Sequence, residues 1–227
     1  MSRGRRYEEP KLNMKKVFAV IVAIIVIIMC IVMLKGILSK DTEQGKIVSK
    51  DYFASYQNSK WGVIDSNGDN VIDPSYAEMI IVPNSKNDVF LCTYDVDYDN
   101  NTYKTKALNS ENKEIFTEYD YVEAISNKDE NNNLWYENDV VRVKKSGLYG
   151  LIDLSGKELL QCEYDKIEAL EGVQNTFKIT KDGKVGIADN KGNVLITPSY
   201  AEITSLDKDK SQGFIVKNSD GKYGIVD

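Results

Sequence analysis

Aromatic residues followed by glycine recur along the chain and are its most obvious candidates for recognising a ligand. The dipeptides are Trp61-Gly62, Tyr149-Gly150 and Tyr223-Gly224, and the related segments 60–76, 148–164 and 184–200 end in Tyr76, Tyr164 and Tyr200. Exposed rings at regular intervals can stack on sugars, so all six aromatic residues are candidate binding residues. The alternative is that each glycine marks a bulge and each ring packs on the next segment. We favour packing, because a repeated position is usually a contact between repeats.

Two acidic stretches begin like a calcium-binding loop, at 65–69 (DSNGD) and 95–99 (DVDYD). A complete loop needs Gly at position 6 and Glu at position 12. The residues found there are Asn70 and Tyr76 in the first stretch, and Asn100 and Lys106 in the second. We therefore interpret both as solvated acidic turns and predict no metal site, with weak calcium binding at the second stretch as the alternative.

The residues that usually carry catalysis are scarce. The chain contains no histidine, which removes the commonest general base and metal ligand. It also contains no Gly-x-Gly and no Gly-Lys-Ser/Thr sequence, so no phosphate-binding loop and no cofactor are predicted. The cysteines are Cys30, Cys92 and Cys162. A disulfide between Cys92 and Cys162 is possible in an oxidising compartment, but we favour two independent small core residues.

The aromatic-glycine dipeptides belong to a longer repeated frame. Residues 60–76 (KWGVIDSNGDNVIDPSY) return as 148–164 (LYGLIDLSGKELLQCEY) and 184–200 (KVGIADNKGNVLITPSY), and a further copy opens at Lys222. A degenerate copy lies at 105–119. The first glycine position falls at 62, 106, 150, 186 and 224, in steps of 44, 44, 36 and 38 residues. Such periods indicate a solenoid, a propeller or an open array.

This frame resembles the WG-repeat (KWG-repeat) family of bacterial proteins. The copy that carries the resemblance best is Lys60 to Asp65 (KWGVID), followed by Gly68, Val71-Ile72, Pro74 and Tyr76. The resemblance covers about residues 52–227, although only one copy keeps the tryptophan. It implies an all-β repeat used as an interaction scaffold, with no established catalytic residues to transfer.

From Tyr52 onward, apolar residues alternate with polar ones between turn residues, which predicts strands. Three hairpins are predicted, at 140–153, 177–189 and 214–227. The polar, acidic segments 95–101 and 127–133 interrupt the pattern and are predicted to form loops or hairpin tips. A second turn in each copy pairs an aspartate, expected to form an Asx-turn, with a glycine three residues later. The fold prediction is all-β, with about five hairpin or meander units at 52–227 in an open curled array or, alternatively, a small propeller-like closure.

The N-terminal part differs in composition. Residues 1–16 are polar and basic, 17–34 are 18 consecutive apolar residues, and 39–51 are polar. At about 1.5 Å per residue the apolar run spans roughly 27 Å as a helix, close to a hydrocarbon core of about 30 Å. We predict a basic tail at 1–16, a transmembrane signal-anchor helix at 17–38 and a linker at 39–51. A cleaved signal peptide is the alternative.

The charge distribution suggests where the parts lie. Residues 1–40 hold 8 basic and 2 acidic residues, which leaves 21 basic and 33 acidic residues in 41–227. An excess of basic residues before the span predicts a cytoplasmic N-terminus and an extracellular repeat domain in a single-pass membrane protein. The acidic repeat domain argues against nucleic acid, whose binding requires phosphate neutralisation.

The expected function is therefore a membrane-tethered, non-enzymatic scaffold that binds a protein partner or a cell-envelope glycan. An accessory subunit of a membrane complex is the first alternative. A cell-wall glycan hydrolase is the second, because acidic residues are abundant, although nothing singles out a catalytic pair of carboxylates.

Overall fold

The computed structural model describes residues 51–207 and 213–227. Every regular element in this part of the chain is a β-strand, which confirms the all-β prediction. The predicted basic tail at 1–16, the helix at 17–38 and all but the last residue of the linker at 39–51 lie outside the described residues. Within the part of the chain that the structure describes, no helix has the length and hydropathy needed to span a bilayer.

The strands form successive antiparallel sheets, which we call sheets 1 to 5, and one side hairpin. Sheet 1 contains β1 (Tyr52–Gln57), β2 (Lys60–Asp65) and β3 (Asn70–Tyr76). Sheet 2 contains β4 (Phe90–Asp97), β5 (Thr102–Leu108) and the short β6 (Glu114–Ile115). In each sheet the strands follow one another as a meander.

Sheet 3 is interrupted by the side hairpin. Its first strand is β7 (Tyr121–Glu123), and the side hairpin follows with β8 (Ser126–Lys128) and β9 (Leu134–Tyr136). Sheet 3 then resumes with β10 (Val140–Lys145), β11 (Leu148–Asp153) and β12 (Glu158–Tyr164). The order in this sheet is β12-β11-β10-β7, so β7 lies at one edge.

Sheet 4 is complete and uninterrupted, whereas sheet 5 has three strands. Sheet 4 contains β13 (Lys166–Ala169), β14 (Thr176–Lys181), β15 (Lys184–Asp189) and β16 (Val194–Tyr200). Sheet 5 contains β17 (Glu202–Ser205), β18 (Phe214–Lys217) and β19 (Tyr223–Val226). The three predicted hairpins are the pairs β10–β11, β14–β15 and β18–β19, so these predictions are confirmed.

The turn chemistry explains why these hairpins close where they do. The β14–β15 turn places Asp182 at φ 51° and Gly183 at φ 69°. Two successive positive φ values define the primed turn whose twist matches that of the flanking strands, and the Asp-Gly pair tolerates them. Residues 95–101, predicted to form a loop or hairpin tip, cover the end of β4 and the turn into β5.

The recurrence of glycine at the first position of the frame is explained by a bulge in the neighbouring strand. In sheet 4, Val185 lies opposite Tyr200 but Ile187 lies opposite Ile196, so β16 carries extra residues beside Gly186. A Cβ atom on Gly186 would lie 2.3 Å from the carbonyl oxygen of Ile196. Sheets 1 and 3 shift register in the same way. The bulge interpretation of the glycines is therefore confirmed.

The hydrophobic core is divided into four clusters, one between each pair of neighbouring sheets. Each cluster joins the second strand of the long hairpin in one sheet (β2, β5, β11 or β15) to the first strand of the long hairpin in the next (β4, β10, β14 or β18). The pairs that share a cluster are Val63 with Phe90, Ala107 with Val141, Leu151 with Phe177, and Ile187 with Phe214. Among the described residues no such cluster joins sheet 5 to sheet 1, and no closed barrel forms. The array is open over this part of the chain.

Candidate functional site

The predicted binding residues lie mainly where one sheet meets the next. Trp61 is opposite Tyr76 across β2 and β3, and Tyr149 is opposite Tyr164 across β11 and β12. The first pair packs against the cluster between sheets 1 and 2, and the second belongs to the cluster between sheets 3 and 4. Their positions support a packing role for these four rings, while ligand binding by them stays a prediction.

The last two predicted residues differ from each other. Tyr200 is partly buried and packs against the cluster between sheets 4 and 5. Tyr223 in sheet 5 is 67% exposed, although it occupies the repeat position of Trp61 and Tyr149. The Nζ atom of Lys217 lies 5.3 Å from the centre of the Tyr223 ring. Tyr223 is thus the one ring of the six predicted residues that the array leaves largely accessible to a partner.

Cations cover the ring of Tyr149. Lys144 Nζ lies 4.8 Å from the ring centre and Arg142 Cζ lies 5.2 Å from it. The Arg142 side chain is also fixed by its hydrogen bonds: Nη2 donates to Glu123 Oε2 at 2.6 Å, and Nη1 donates to the carbonyl oxygen of Ile167 at 2.8 Å. Because Ile167 lies in β13, Arg142 ties sheet 3 to sheet 4.

A cleft with a volume of about 320 Å³ opens beside this ion pair, between sheets 2 and 3. Its apolar lining includes Ile81, Leu91 and Val122, and its polar lining includes Tyr98, Tyr103 and the carboxylates of Glu78 and Glu123. We call it the inter-sheet cleft. Concave sites with an apolar floor and a few fixed polar groups are the usual form of ligand-binding sites.

The inter-sheet cleft exists because sheet 2 lacks its first strand. In sheets 3, 4 and 5 a short strand precedes the first long hairpin and pairs with it. In sheet 2 the corresponding segment makes only an isolated bridge, between Ile81 and Leu91. The space beside β4 is therefore not filled by backbone, and side chains line it instead.

Two tyrosine–carboxylate pairs define the polar chemistry of the inter-sheet cleft. The Tyr103 hydroxyl donates to Glu123 Oε1 at 2.9 Å, and the Tyr98 hydroxyl donates to Glu78 Oε1. Burial and the hydrogen bond to Glu123 raise the pKa of Tyr103 to about 12. The hydrogen bond to Glu78 and its negative charge raise the pKa of Tyr98. Both phenols therefore stay neutral at physiological pH and hold the carboxylates in place.

This arrangement is suited to recognition. Glu123 already accepts hydrogen bonds from Arg142 and Tyr103, so its oxygens are held by neighbours. Glu78 accepts one hydrogen bond, from a tyrosine that is largely exposed. The mouth of the inter-sheet cleft thus offers a carboxylate and a ring edge above an apolar floor, a combination that fits a partner with both polar and apolar groups.

The inter-sheet cleft is not among the sites predicted from the sequence. Its residues lie at 78–105, mainly between the first copy of the frame and the degenerate copy at 105–119, and at 122–142. The available signal was the interruption at 95–101, because Tyr98 lies inside this segment and Tyr103 follows it closely. Where the repeat is interrupted, side chains need not pack on a neighbouring repeat and can line a surface instead.

The two stretches that resemble calcium loops form local turns. Asp65 Oδ1 accepts the backbone N–H groups of Asn67 at 2.8 Å and of Asp69 at 3.0 Å. Asp97 Oδ1 accepts those of Asp99 and Asn100, each at 3.1 Å. These contacts confirm the predicted Asx-turn at Asp65. Over residues 51–207 and 213–227, no group of three or more His, Cys, Asp or Glu side chains is placed to hold a metal ion.

The two cysteines within the described residues are free and belong to different clusters. Cys92 is buried between sheets 1 and 2, and Cys162 packs against the cluster between sheets 2 and 3. This confirms the interpretation of two independent core residues. Burial raises the pKa of the Cys92 thiol to about 11.

Comparison with known families gives one match. The model described as WG containing repeat matches residues 61–83 and 149–184. The match supports a WG-repeat protein. The two matched segments begin at Trp61 and Tyr149, the aromatic residues that precede Gly62 and Gly150. The first segment contains the bulged strand β3, and the second contains the bulged strand β12. No curated protein and no solved structure matches the chain.

Proposed function

We propose that this chain is a membrane-tethered, non-enzymatic scaffold that binds a protein or cell-envelope partner outside the membrane. The observation that carries the proposal is the inter-sheet cleft, where an array otherwise devoted to packing presents Tyr98, Tyr103 and Glu78 to solvent. The apolar run at 17–34 supports the tether, since its length fits a hydrocarbon core.

The inter-sheet cleft is better suited to binding a partner than to catalysing a reaction. Tyr103 and Arg142 both hold Glu123, so the charged groups of its inner part are used in fixing sheet 3 to its neighbours. The outer part, with Tyr98 and Glu78, is the part that a partner can reach. An aromatic ring with a polar end contributes much of the affinity at the centre of many protein interfaces.

Binding is tested by retention of the full chain, purified in mild detergent, on purified wall material and by chemical cross-linking to envelope proteins. We expect Tyr98→Ala and Glu78→Gln to reduce retention or cross-linking by at least about fivefold, the loss of roughly 1 kcal/mol of contact. Tyr56→Ala, which removes another exposed tyrosine outside the cleft, is the matched control. Equal retention of all three variants would contradict the cleft as the binding site, and no retention of the parent chain on either material would contradict the scaffold.

The tether and its orientation are tested by labelling in intact cells. Asn131 is exposed at the tip of the side hairpin, so Asn131→Cys gives an accessible thiol in the repeat domain. We expect a membrane-impermeant maleimide to label it in intact cells, whereas Ser2→Cys in the basic tail should react only after lysis. The reverse pattern would place the repeats inside the cell.

A further inference from the structure

The inter-sheet cleft is the middle one of three adjoining depressions. A depression of about 310 Å³ lies between sheets 1 and 2, and it shares Glu78 and Tyr98 with the inter-sheet cleft. Another, of about 200 Å³, lies at β7 and shares Tyr103 and Glu123 with the inter-sheet cleft. We call them the sheet 1 depression and the β7 depression. The two tyrosine–glutamate pairs are therefore walls between successive compartments of one row.

In the sheet 1 depression two tyrosine rings flank a lysine. Tyr76 and Tyr94 line it, and Lys106 Nζ lies 5.7 Å from the ring centre of Tyr76 and 5.0 Å from that of Tyr94. An ammonium group at these distances is attracted to the faces of the rings, so the three side chains hold one another in position. Asp95 adds a carboxylate, which accepts a 2.8 Å hydrogen bond from Lys104 Nζ.

The β7 depression repeats this construction. Tyr121 and Tyr149 line it, and Lys144 Nζ lies 5.7 Å and 4.8 Å from their ring centres. The ring of Tyr103, on the wall shared with the inter-sheet cleft, meets Tyr121 edge-on with 6.3 Å between the ring centres. The row as a whole thus places six tyrosine rings along three successive compartments.

We propose that the three compartments form one groove, which we call the tyrosine groove, and that it binds an extended glycan chain with successive sugar units in successive compartments. This assignment rests on the proposed function, whose envelope partner it narrows to one chemical class. A sugar ring has an apolar C–H face and a rim of hydroxyl groups. Tyrosine rings match the face, while carboxylates accept hydrogen bonds from the rim and lysines donate to it. Compartments with similar linings match a ligand made of repeated units.

Other linear polymers fit the tyrosine groove less well. A peptide that binds as an added strand needs a free sheet edge. Beside the inter-sheet cleft the edge of β4 is already bridged by Ile81, which exchanges backbone hydrogen bonds of 3.0 Å and 2.9 Å with Leu91. A nucleic acid needs a surface that neutralises phosphates, whereas Glu78, Asp95 and Glu123 place carboxylates along the groove.

The dependence of binding on glycan length tests the groove. The probes are soluble chains cleaved from the purified envelope glycan of the cells that produce this protein and separated by length. Calorimetry measures their dissociation constants for the full protein in mild detergent. We expect the constant to fall at least about tenfold between a single unit and a chain that reaches all three compartments, because linked units bind at a high effective concentration. Equal constants at all lengths, or no binding at any length, would overturn the inference.

Bulky substitutions at the rim test the outer compartments one at a time. Ala77 and Thr102 are exposed and line the sheet 1 and β7 depressions, respectively. We expect Ala77→Arg and Thr102→Arg each to weaken the binding of long chains at least about fivefold and to make the affinity stop rising at a shorter chain length. Asn131→Arg, at the exposed tip of the side hairpin, is the matched control. Unchanged length dependence in both variants, or an equal loss in the control, would contradict the groove.

Protection of tyrosines from nitration supplies a measurement that needs no substitution. Tyr98 and Tyr103 are 76% and 40% exposed on the walls of the groove, and Tyr56 is 59% exposed outside it. With long glycan chains at ten times their dissociation constant, we expect nitration of Tyr98 and Tyr103 to be about tenfold slower and that of Tyr56 to be unchanged, as measured by peptide mapping. Equal nitration with and without glycan would overturn the inference.

The results also separate this inference from the proposed function. Cross-linking to an envelope protein that Ala77→Arg and Thr102→Arg abolish, without binding of any glycan chain, would assign the groove to a protein segment. That result would overturn the glycan inference and leave the scaffold standing. Absence of both glycan binding and cross-linking would overturn both.

Discussion

The side-chain amide of Asn127 donates a 3.0 Å hydrogen bond to Oε1 of Glu137 across the side hairpin, and both residues are almost completely buried. The same amide donates to the carbonyl oxygen of Val173 at 3.0 Å, and Asn127 Oδ1 accepts the backbone N–H of Gly172 at 3.1 Å. Glu137 Oε2 accepts the backbone N–H of Asn175 at 2.9 Å. The pair therefore holds the side hairpin against the loop between β13 and β14.

Loss of the Asn127 side chain should destabilise the array strongly. Asn127→Ala leaves Glu137 and the carbonyl oxygen of Val173 buried without this donor, and an unsatisfied buried charge or carbonyl is costly. We expect the free energy of unfolding to fall by about 2–4 kcal/mol in urea titrations. Asn131→Ala, at the exposed tip of the same hairpin, should change it by less than about 0.5 kcal/mol. Equal stability of the two variants would contradict the role assigned to the Asn127–Glu137 pair.

The sequence could predict the repeated part of the fold because its signals are local. The turn at Asp182-Gly183 and the bulge beside Gly186 each depend on a few adjacent residues. Those residues specify strand, turn and close approach wherever they occur. The all-β repeat and three of its hairpins followed from this reasoning.

The sequence could not predict the buried role of Asn127. Residues 127–133 (NKDENNN) are uniformly polar, and we expected a solvated loop or hairpin tip. The tip is exposed, but Asn127 lies in β8 and is buried. Its burial depends on Gly172 and Val173, which follow it by more than 40 residues. A polar residue that pairs with a distant loop has no signature in its own neighbourhood.

The inter-sheet cleft escaped prediction for a related reason. It results from a missing strand before β4, and the segment concerned still contains the apolar residues Ile80, Ile81 and Val82. An apolar run of this kind is compatible with a strand, and only the three-dimensional arrangement shows that it forms a single bridge at Ile81. The positions of Tyr98 and Tyr103 relative to Glu78 and Glu123 follow from the missing strand before β4.

Replacement of the first glycine of the frame by alanine should lower the free energy of unfolding more in a complete repeat than in the last one. In Gly186→Ala the new Cβ atom would lie 2.3 Å from the Ile196 carbonyl oxygen and 2.6 Å from Pro198 N. We expect a loss of about 2–3 kcal/mol in the free energy of unfolding, because the bulged strand must move away. In Gly224→Ala the nearest atom is Val216 Cγ2 at 3.8 Å, so stability should change by less than about 1 kcal/mol. Similar losses at both positions would argue against the close-approach explanation.

Acid should destabilise the array through the aspartates that form Asx-turns. Partial burial acts to raise the pKa of Asp189, but hydrogen bonds from the side chain and backbone N–H of Asn193 and from the backbone N–H of Lys191 outweigh it. The pKa of the folded state therefore lies below the ordinary value of about 3.9. The resulting stability is fully present above that value and is lost as the pH falls through the lowered pKa.

Replacement of Asp189 by asparagine removes the negative charge and keeps a side-chain oxygen that can accept the hydrogen bonds of the turn. Asn218 already occupies the corresponding place in sheet 5, where its Oδ1 accepts the backbone N–H groups of Asp220 at 3.0 Å and Lys222 at 2.9 Å. We therefore expect Asp189→Asn to keep its stability at pH 7 within about 1 kcal/mol. Its free energy of unfolding should fall less steeply than that of the parent chain as the pH drops from about 5 through the lowered pKa of Asp189. Parallel pH profiles for the two chains would contradict the assignment.

The thiol of Cys92 should be inert while the array is folded. Burial raises its pKa to about 11, and the side chain is enclosed between sheets 1 and 2. Since the thiolate is the reactive form, we expect Cys92 to react with an aromatic disulfide reagent at pH 8 at least about 100-fold more slowly than a free thiol. Peptide mapping by mass spectrometry identifies the labelled residue, and urea sufficient to unfold the chain should bring Cys92 to the rate of a free thiol. Cys162, which is only partly buried, should react before Cys92, and Cys162→Ser should leave the slow rate of Cys92 unchanged. Rapid labelling of Cys92 in the folded chain would show that sheets 1 and 2 separate readily.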